Sequence, residues 1–390
     1  MPDSRGLPVG SFVRLDKPEL QAVVDRLGAL GYRTMGPRLA DGAVVCADLD
    51  LIDDMPVGWV DEQEAGKYRL RESDPKTYFD CVAGPTSWKA CFFPPCETVL
   101  EARQQETGWT IATPQEPVEP LALVGIRACD LQALRVLDRV MLEGPYVDAG
   151  YAKRRESLFV VGVNCRRAAP TCFCHSTKSG PALAPGFDLG LTELRDFFVV
   201  EIGTERGGDV ILAARWTPCS LDDIHTARNL PTKLAEQMQR RGKSATQFVP
   251  DQPAGRHLDM HELSRFLLDN LEHPRWEEVA RRCLACGNCT LVCPTCFCSS
   301  VDEVSDLTGT HTRRERSWSS CFNHEHSYMN SGTVRRTVSA RYRQWLVHKL
   351  ATWQEQFGVG GCVGCGRCIV WCPVGIDLTA EVAAMRGGAT

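Results

Sequence analysis

The sequence predicts an α/β N-terminal domain, a mixed sheet with a βαβ unit, followed by a mostly α C-terminal domain. Three observations lead there. Strand-sized apolar runs alternate with helix-period segments before residue 255, strand signal is scarce after it, and cysteines crowd the last part of the chain. The expected boundaries are 1–255 and 256–390, in keeping with 390 residues at ~150 per domain.

In chain order, Asp16 followed by Pro18 marks a helix start, because proline is tolerated in a first turn. Leu20, Val23, Val24, Leu27 and Leu30 then recur on one face. Residues 32–39 and 43–49 read as a hairpin turning at Ala40-Asp41-Gly42. Residues 50–118, rich in proline and glycine, give only an irregular packed region. The run 121–126 is apolar and ends in Arg127-Ala128-Cys129-Asp130, and Leu131, Leu134, Leu137, Val140 and Met141 form a helical stripe behind it. A second run, 158–163, ends in Asn164-Cys165. Two apolar strands with a helix between them make a parallel βαβ unit, and such sheets place sites beyond the carboxyl ends of their strands. Cys129 and Cys165 are both delivered there. Strands are expected at 197–202 and 210–214 with Gly207-Gly208 as their turn, and residues 215–260 read as a polar, partly helical passage between domains. Helical spacing returns at 260–271 and 335–353.

Net charge is −5, with 43% hydrophobic and 24% charged residues, which excludes disordered and strongly basic nucleic-acid-binding classes. No run approaches the ~18 apolar residues of a membrane span, and the first residues lack the pattern of a secretory signal. A cytoplasmic protein is expected. The abnormal number is 20 cysteines, 11 of them within residues 283–390. In a reducing compartment, clustered thiols are better read as metal ligands than as disulfides.

Cys283, Cys286, Cys289 and Cys293 form C-x2-C-x2-C-x3-C with Pro294 next, and Cys362, Cys365, Cys368 and Cys372 repeat it before Pro373. This is the cubane-cluster run of bacterial ferredoxins, whose fourth cysteine serves the other cluster. Three thiolates at steps of three wrap one cube, and the short helix after them carries the fourth to its neighbour. One [4Fe-4S] cluster therefore takes Cys283, Cys286, Cys289 and Cys372, and a second takes Cys293, Cys362, Cys365 and Cys368. The competing reading is a pair of structural zinc sites, which typically use separated C-x2-C pairs rather than a triplet plus Cys-Pro.

Residues 170–174 (Pro-Thr-Cys-Phe-Cys) recur letter for letter at 294–298. With Cys129 and Cys165, Cys172 and Cys174 make a candidate set for a third [4Fe-4S] cluster; the alternative is buried reduced thiols packing as small apolar groups. Cys296, Cys298 and Cys321 are only three and would need a further ligand such as His324 or His326, so packing or tuning is the preferred reading there. Cys46, Cys81, Cys91, Cys96 and Cys219 read as plain thiols. Arg281, Arg282, Arg335, Arg336, Arg341, Arg343, His348, Lys349 and Arg367 flank the motifs, either tuning an anionic cluster or forming a solvated face. No G-x-G-x-x-G after a strand, P-loop, H-E-x-x-H or nucleophile elbow is present, so no catalytic or nucleotide-binding residue is assigned.

The long separation of the two motifs resembles the α-helical ferredoxin domain of iron–sulfur subunits in respiratory and hydrogenase complexes. The stretch Arg341-Tyr342-Arg343-Gln344-Trp345, then His348-Lys349, then the Cys362–Cys372 motif with Pro373-Val374-Gly375-Ile376-Asp377, resembles the dicluster β subunit of cytoplasmic NAD(P)-linked [NiFe] hydrogenases, the sulfhydrogenases. The A subunit of anaerobic sulfite reductase shares this layout. Ile126-Arg127-Ala128-Cys129-Asp130-Leu131, residues 161–165, Cys172-Phe173-Cys174 and Gly186-Phe187-Asp188-Leu189 extend the similarity over nearly the whole chain. The resemblance implies a relay of electrons between the hydrogenase small and large subunits and a separate flavin subunit that handles NAD(P)H, with sulfur or polysulfide reduction credited to the β and γ subunits together. Two other readings remain open: an electron-transfer subunit of a sulfite reductase, and a non-redox assembly module stapled by metal.

Overall fold

Eight strands in chain order build the central sheet: β1 (Phe12–Asp16), β2 (Arg33–Ala40), β3 (Ala43–Asp48), β4 (Leu121–Arg127), β5 (Leu158–Val163), β6 (Leu189–Glu193), β7 (Phe197–Ile202) and β8 (Trp216–Pro218). In this computed structural model residues 6–82, 84–113, 118–242 and 256–387 are described. The spatial order is β8-β1-β7-β6-β5-β4-β2-β3. The run β6-β5-β4-β2 is parallel, and the outer pairings are antiparallel. β4 and β5 are buried almost throughout, as expected of strands covered on both faces.

One face packs Val124, Val161, Leu191 and Val200 against the helix Leu20–Ala29. The other packs Leu123 and Val160 against the helix Ala128–Met141, so β4, that helix and β5 form the expected βαβ unit. The pairing of β4 with β5 shifts register between Val124 and Ile126, at Gly125, whose φ is +84°. This bulge turns Ile126 onto the same face as Leu123 and re-aims the end of the strand. Arg127 then donates to the carbonyls of Phe79 (2.9 Å) and Cys81 (2.6 Å), and Cys129 begins the helix beyond it.

Three expectations are corrected. Residues 205–211 are a helix, Glu205–Ile211, not a strand. Thr204 caps it by accepting from the Gly207 amide, and the two glycines serve close approach: a Cβ at Gly207 would lie 2.1 Å from the Asp188 carbonyl oxygen. Residues 50–118 are more ordered than expected, with a hairpin of Trp59–Glu64 and Lys67–Glu72, a helical turn Lys89–Phe92, and the paired strands Cys96–Gln105 and Gly108–Ala112. The C-terminal half also contains strands, Ser299–Ser305 and His311–Trp318, which escaped notice because their charged, largely exposed residues show no apolar period. They join Cys96–Gln105 and Gly108–Ala112 in one antiparallel four-stranded sheet. One hairpin comes from each side of residue 255, which itself lies outside the described residues, as does part of the expected 215–260 passage.

The remainder of the C-terminal half is helical. Leu263–Asp269, Arg275–Ala280, Val338–Val347 and Leu378–Met385 enclose a core that includes Trp276, Tyr342, Trp345 and Leu346. The helix Val338–Val347 passes through a π-helical turn, His348–Thr352, into Trp353–Phe357. Among the described residues no helix is long and apolar enough to cross a membrane.

Candidate metal centre

The two cysteine motifs adopt the same local geometry. In each, the residue before the second cysteine is left-handed, Ala285 (φ +51°) and Gly364 (φ +60°), and so is the glycine after it, Gly287 (φ +79°) and Gly366 (φ +77°). That sequence of turns wraps the loop and aims backbone N–H groups inward. Ala285 N–H points at Cys283 Sγ and Gly364 N–H at Cys362 Sγ, both at 3.4 Å, while Ile376 N–H reaches Cys372 Sγ at 3.3 Å. The glycine after the second cysteine of each motif, Gly287 or Gly366, opens a one-turn helix, Asn288–Leu291 or Arg367–Val370. The Asn288 side chain donates to the Trp371 carbonyl at 3.2 Å and ties the end of one motif to the other.

This crossing exchanges the fourth cysteines. The thiol of Cys289 is close enough to feel the charges of Cys283, Cys286 and Cys372, and that of Cys368 feels Cys362, Cys365 and Cys293. The structure therefore brings together the two quartets expected from the spacing. Burial, reinforced by the other thiols, pushes Cys289 and Cys368 well above the ordinary thiol range, and burial pushes Cys362 up to about 12. Cys293 is the exception, held low by a hydrogen bond with Cys296 against the cost of burial, with Lys349 adding to the effect.

The remaining four predicted ligands also converge. Cys165, Cys172 and Cys174 share one buried cluster with Cys129 against it, lidded by Leu234 and Met238 of the helix Leu221–Gly242. Cys174 feels Cys172, Cys165 and Cys365, and Cys129 feels Cys365 and Cys174. The set thus abuts the second motif. Phe173 N–H donates to the Gly364 carbonyl at 2.8 Å, and Ser179 Oγ donates to that of Val363 at 2.5 Å. A Cβ on Gly366 would meet Thr171 backbone at 2.6 Å, so this approach requires glycine.

The donors suit iron–sulfur cubanes better than zinc. All twelve are thiols, burial raises the proton affinity of Cys289, Cys362 and Cys368 and so marks a need for metal charge before they ionise, and amide N–H groups reach several sulfurs. Among the described residues, no three His, Cys, Asp or Glu side chains are grouped to hold a single ion, as ~2.3 Å zinc–thiolate bonds would require.

Comparison with known proteins agrees with this chemistry. Residues 282–376 match the family described as 4Fe-4S dicluster domain. The chain is also similar to sulfhydrogenase 2 subunit beta of Pyrococcus furiosus, 31% identical over 267 residues, covering 68% of this chain and 74% of that protein. The chain belongs to the sulfhydrogenase β-subunit family. It is an iron–sulfur member, and its C-terminal part is a 4Fe-4S dicluster domain. No solved structure matches it.

Within this family member, the basic residues around the motifs divide into distinct roles. Arg282 pairs with Glu381, and Arg343 pairs with Glu272. Arg367 is buried and makes a bidentate pair with Asp130, at 2.7 and 3.0 Å. Lys349, in the π-helical turn, sends its ammonium to Cys293 Sγ (3.2 Å), Thr295 Oγ1 (3.3 Å) and the Gly361 carbonyl (3.2 Å). It is the residue placed to tune a cluster. Sequence reasoning missed Lys89 and the partnership of Asp130 with Arg367. A cysteine-adjacent carboxylate beside an intramotif arginine was the available signal for the second; for Lys89 there was none.

Proposed function

We propose that this chain is the electron relay of a cytoplasmic hydrogenase complex, passing single electrons between a [NiFe] small subunit and a flavin subunit that handles NAD(P)H. Cys283, Cys286, Cys289 and Cys372 would hold one cluster; Cys293, Cys362, Cys365 and Cys368 a second; Cys129, Cys165, Cys172 and Cys174 a third. When bound, each cluster supplies a one-electron couple. The protein's part is to hold the thiolates, direct N–H groups at sulfur and exclude water. The observation that carries the reading is that Cys372 lies near enough to act on Cys289, and Cys293 on Cys368, across two loops of identical handedness.

The three sets adjoin in succession, the first reaching the second through Asn288 and the second reaching the third through Gly364. The first is outermost, with Cys286 exposed and Leu284 at 63% and Val374 at 36% exposure beside it, an apolar rim suited to a partner subunit. The second is deeper, and the third lies beyond it against the central sheet. Similarity to a sulfhydrogenase subunit favours hydrogen over sulfite as the reaction partner and keeps polysulfide as an acceptor for the complex.

In the assembled complex, Cys286→Ala is expected to abolish NADP reduction by hydrogen while dye reduction by the [NiFe] module persists. Unchanged NADP reduction contradicts the relay.

A further inference from the structure

We propose a fourth iron–sulfur centre, held by Cys296, Cys298 and Cys321 with His326 as its fourth ligand. It rests on the electron-carrier reading above and extends it.

The hairpin that sequence reasoning overlooked assembles this site. The chain leaves at Cys298, runs out along Ser299–Ser305, returns along His311–Trp318 and arrives at Cys321. Pairing of Ser299 with Trp318, continued by the Ser319 N–H bond to the Cys298 carbonyl (2.8 Å), closes the base. Cys298 and Cys321 are therefore brought side by side, close enough for each thiol to shift the other's protonation. Successive turns then fold His326 back onto the same point, where its imidazole lies close enough to act on the Cys298 thiol. Its Nδ1 is engaged by Ser319 Oγ at 3.0 Å, the kind of orienting contact that metal-bound histidines use on their free nitrogen, which leaves Nε2 for iron. Cys296, two residues ahead of Cys298, is buried and electrostatically coupled to it.

The second, independent observation is Lys89. Its side chain is 3% exposed, its Nζ donates to the Cys296 carbonyl at 3.0 Å, and it lies 3.9 Å from the centroid of the Trp318 ring. Among the described residues no carboxylate pairs with it. A buried ammonium without a counter-charge is strongly unfavourable. Lys349 already faces the sulfur of Cys293, a ligand of the second cluster, whereas Lys89 meets the same segment at Cys296. A cubane on three thiolates and a neutral imidazole is an anion in both of its one-electron states, and would supply that charge.

The repeated Pro-Thr-Cys-Phe-Cys segments then have one use. Each places two cysteines next to the second motif: Phe173 N–H bonds to the Gly364 carbonyl, and Thr295 Oγ1 donates to the Gly361 carbonyl at 2.7 Å. The second cluster becomes a branch point, with one centre on either side. At the new centre a single electron enters and leaves; no bond forms or breaks and no proton moves.

The test is iron and acid-labile sulfide per full chain, purified anaerobically, for wild type, Cys298→Ala/Cys321→Ala and Cys286→Ala, with four irons expected per cluster. The double variant is expected to hold about four fewer irons than wild type. Equal iron in the two overturns the fourth centre, and if Cys286→Ala has meanwhile lost iron the relay reading survives it. Absence of iron from wild type removes both. Because the double variant could misfold, His326→Cys provides a second readout: it is expected to keep wild-type iron while losing a strong nitrogen coupling from the paramagnetic resonance of the reduced chain. A wild-type spectrum without that coupling overturns the assignment of His326.

Discussion

The pair of Arg367 and Asp130 joins the second cysteine motif to the carboxyl end of the parallel sheet, and its removal should be felt throughout the protein. Both side chains are 3% exposed, with bonds of 2.7 and 3.0 Å, so solvent does little to screen them. Arg367 also donates to the Gly84 carbonyl at 3.1 Å and cannot swing out to water. Asp130→Ala therefore strands a buried guanidinium, at a cost of about 3–5 kcal/mol. Unfolding of a cluster-bearing protein is read as a rate, because loss of iron makes it irreversible. If the sheet and motif separate in the rate-limiting opening, the same energy corresponds to roughly 10²- to 5 × 10³-fold faster bleaching of the visible cluster absorbance. The assay is anaerobic bleaching in denaturant, compared among wild type, Asp130→Ala and Asp130→Leu/Arg367→Met. The double variant has no stranded charge and should recover most of the loss. Bleaching of Asp130→Ala within about threefold of wild type, or a double variant as fast as the single, would refute the argument.

Two further expectations concern charge. Lys349→Met removes the buried cation beside Cys293, which should make the extra electron on the second cluster less favourable and lower its potential in an anaerobic redox titration; an unchanged or higher value contradicts the tuning role. Burial alone would raise the carboxyl pKa of Asp148, but the Tyr151 amide and Arg316 together hold it below the usual range. A depressed folded pKa contributes stability above the unfolded value of ~3.9 that is lost as pH falls through the folded one. Acid unfolding followed by tryptophan fluorescence should thus begin near pH ~4, and Asp148→Asn should flatten that limb; a variant curve parallel to wild type over this window would count against it.

The cysteine spacing by itself marked residues 282–376 as a 4Fe-4S dicluster domain, because thiols at a three-residue step followed by Cys-Pro are the pattern that wraps a cubane. The βαβ unit was equally legible, since β4 and β5 are continuous apolar runs and the helix between them carries a clear stripe. The helix Glu205–Ile211 was not, because glycine pairs signal turns and close approaches alike, and only the position of the Asp188 carbonyl separates the two. The hairpin of Ser299–Ser305 and His311–Trp318 left no apolar period to read, for its partner is another polar hairpin from the opposite half of the chain. Tertiary structure alone decided the pairing of Asp130 with Arg367 and the approach of Lys89 to Cys296. Each depends on which distant segments pack together, and local periodicity carries no record of a contact more than a hundred residues away.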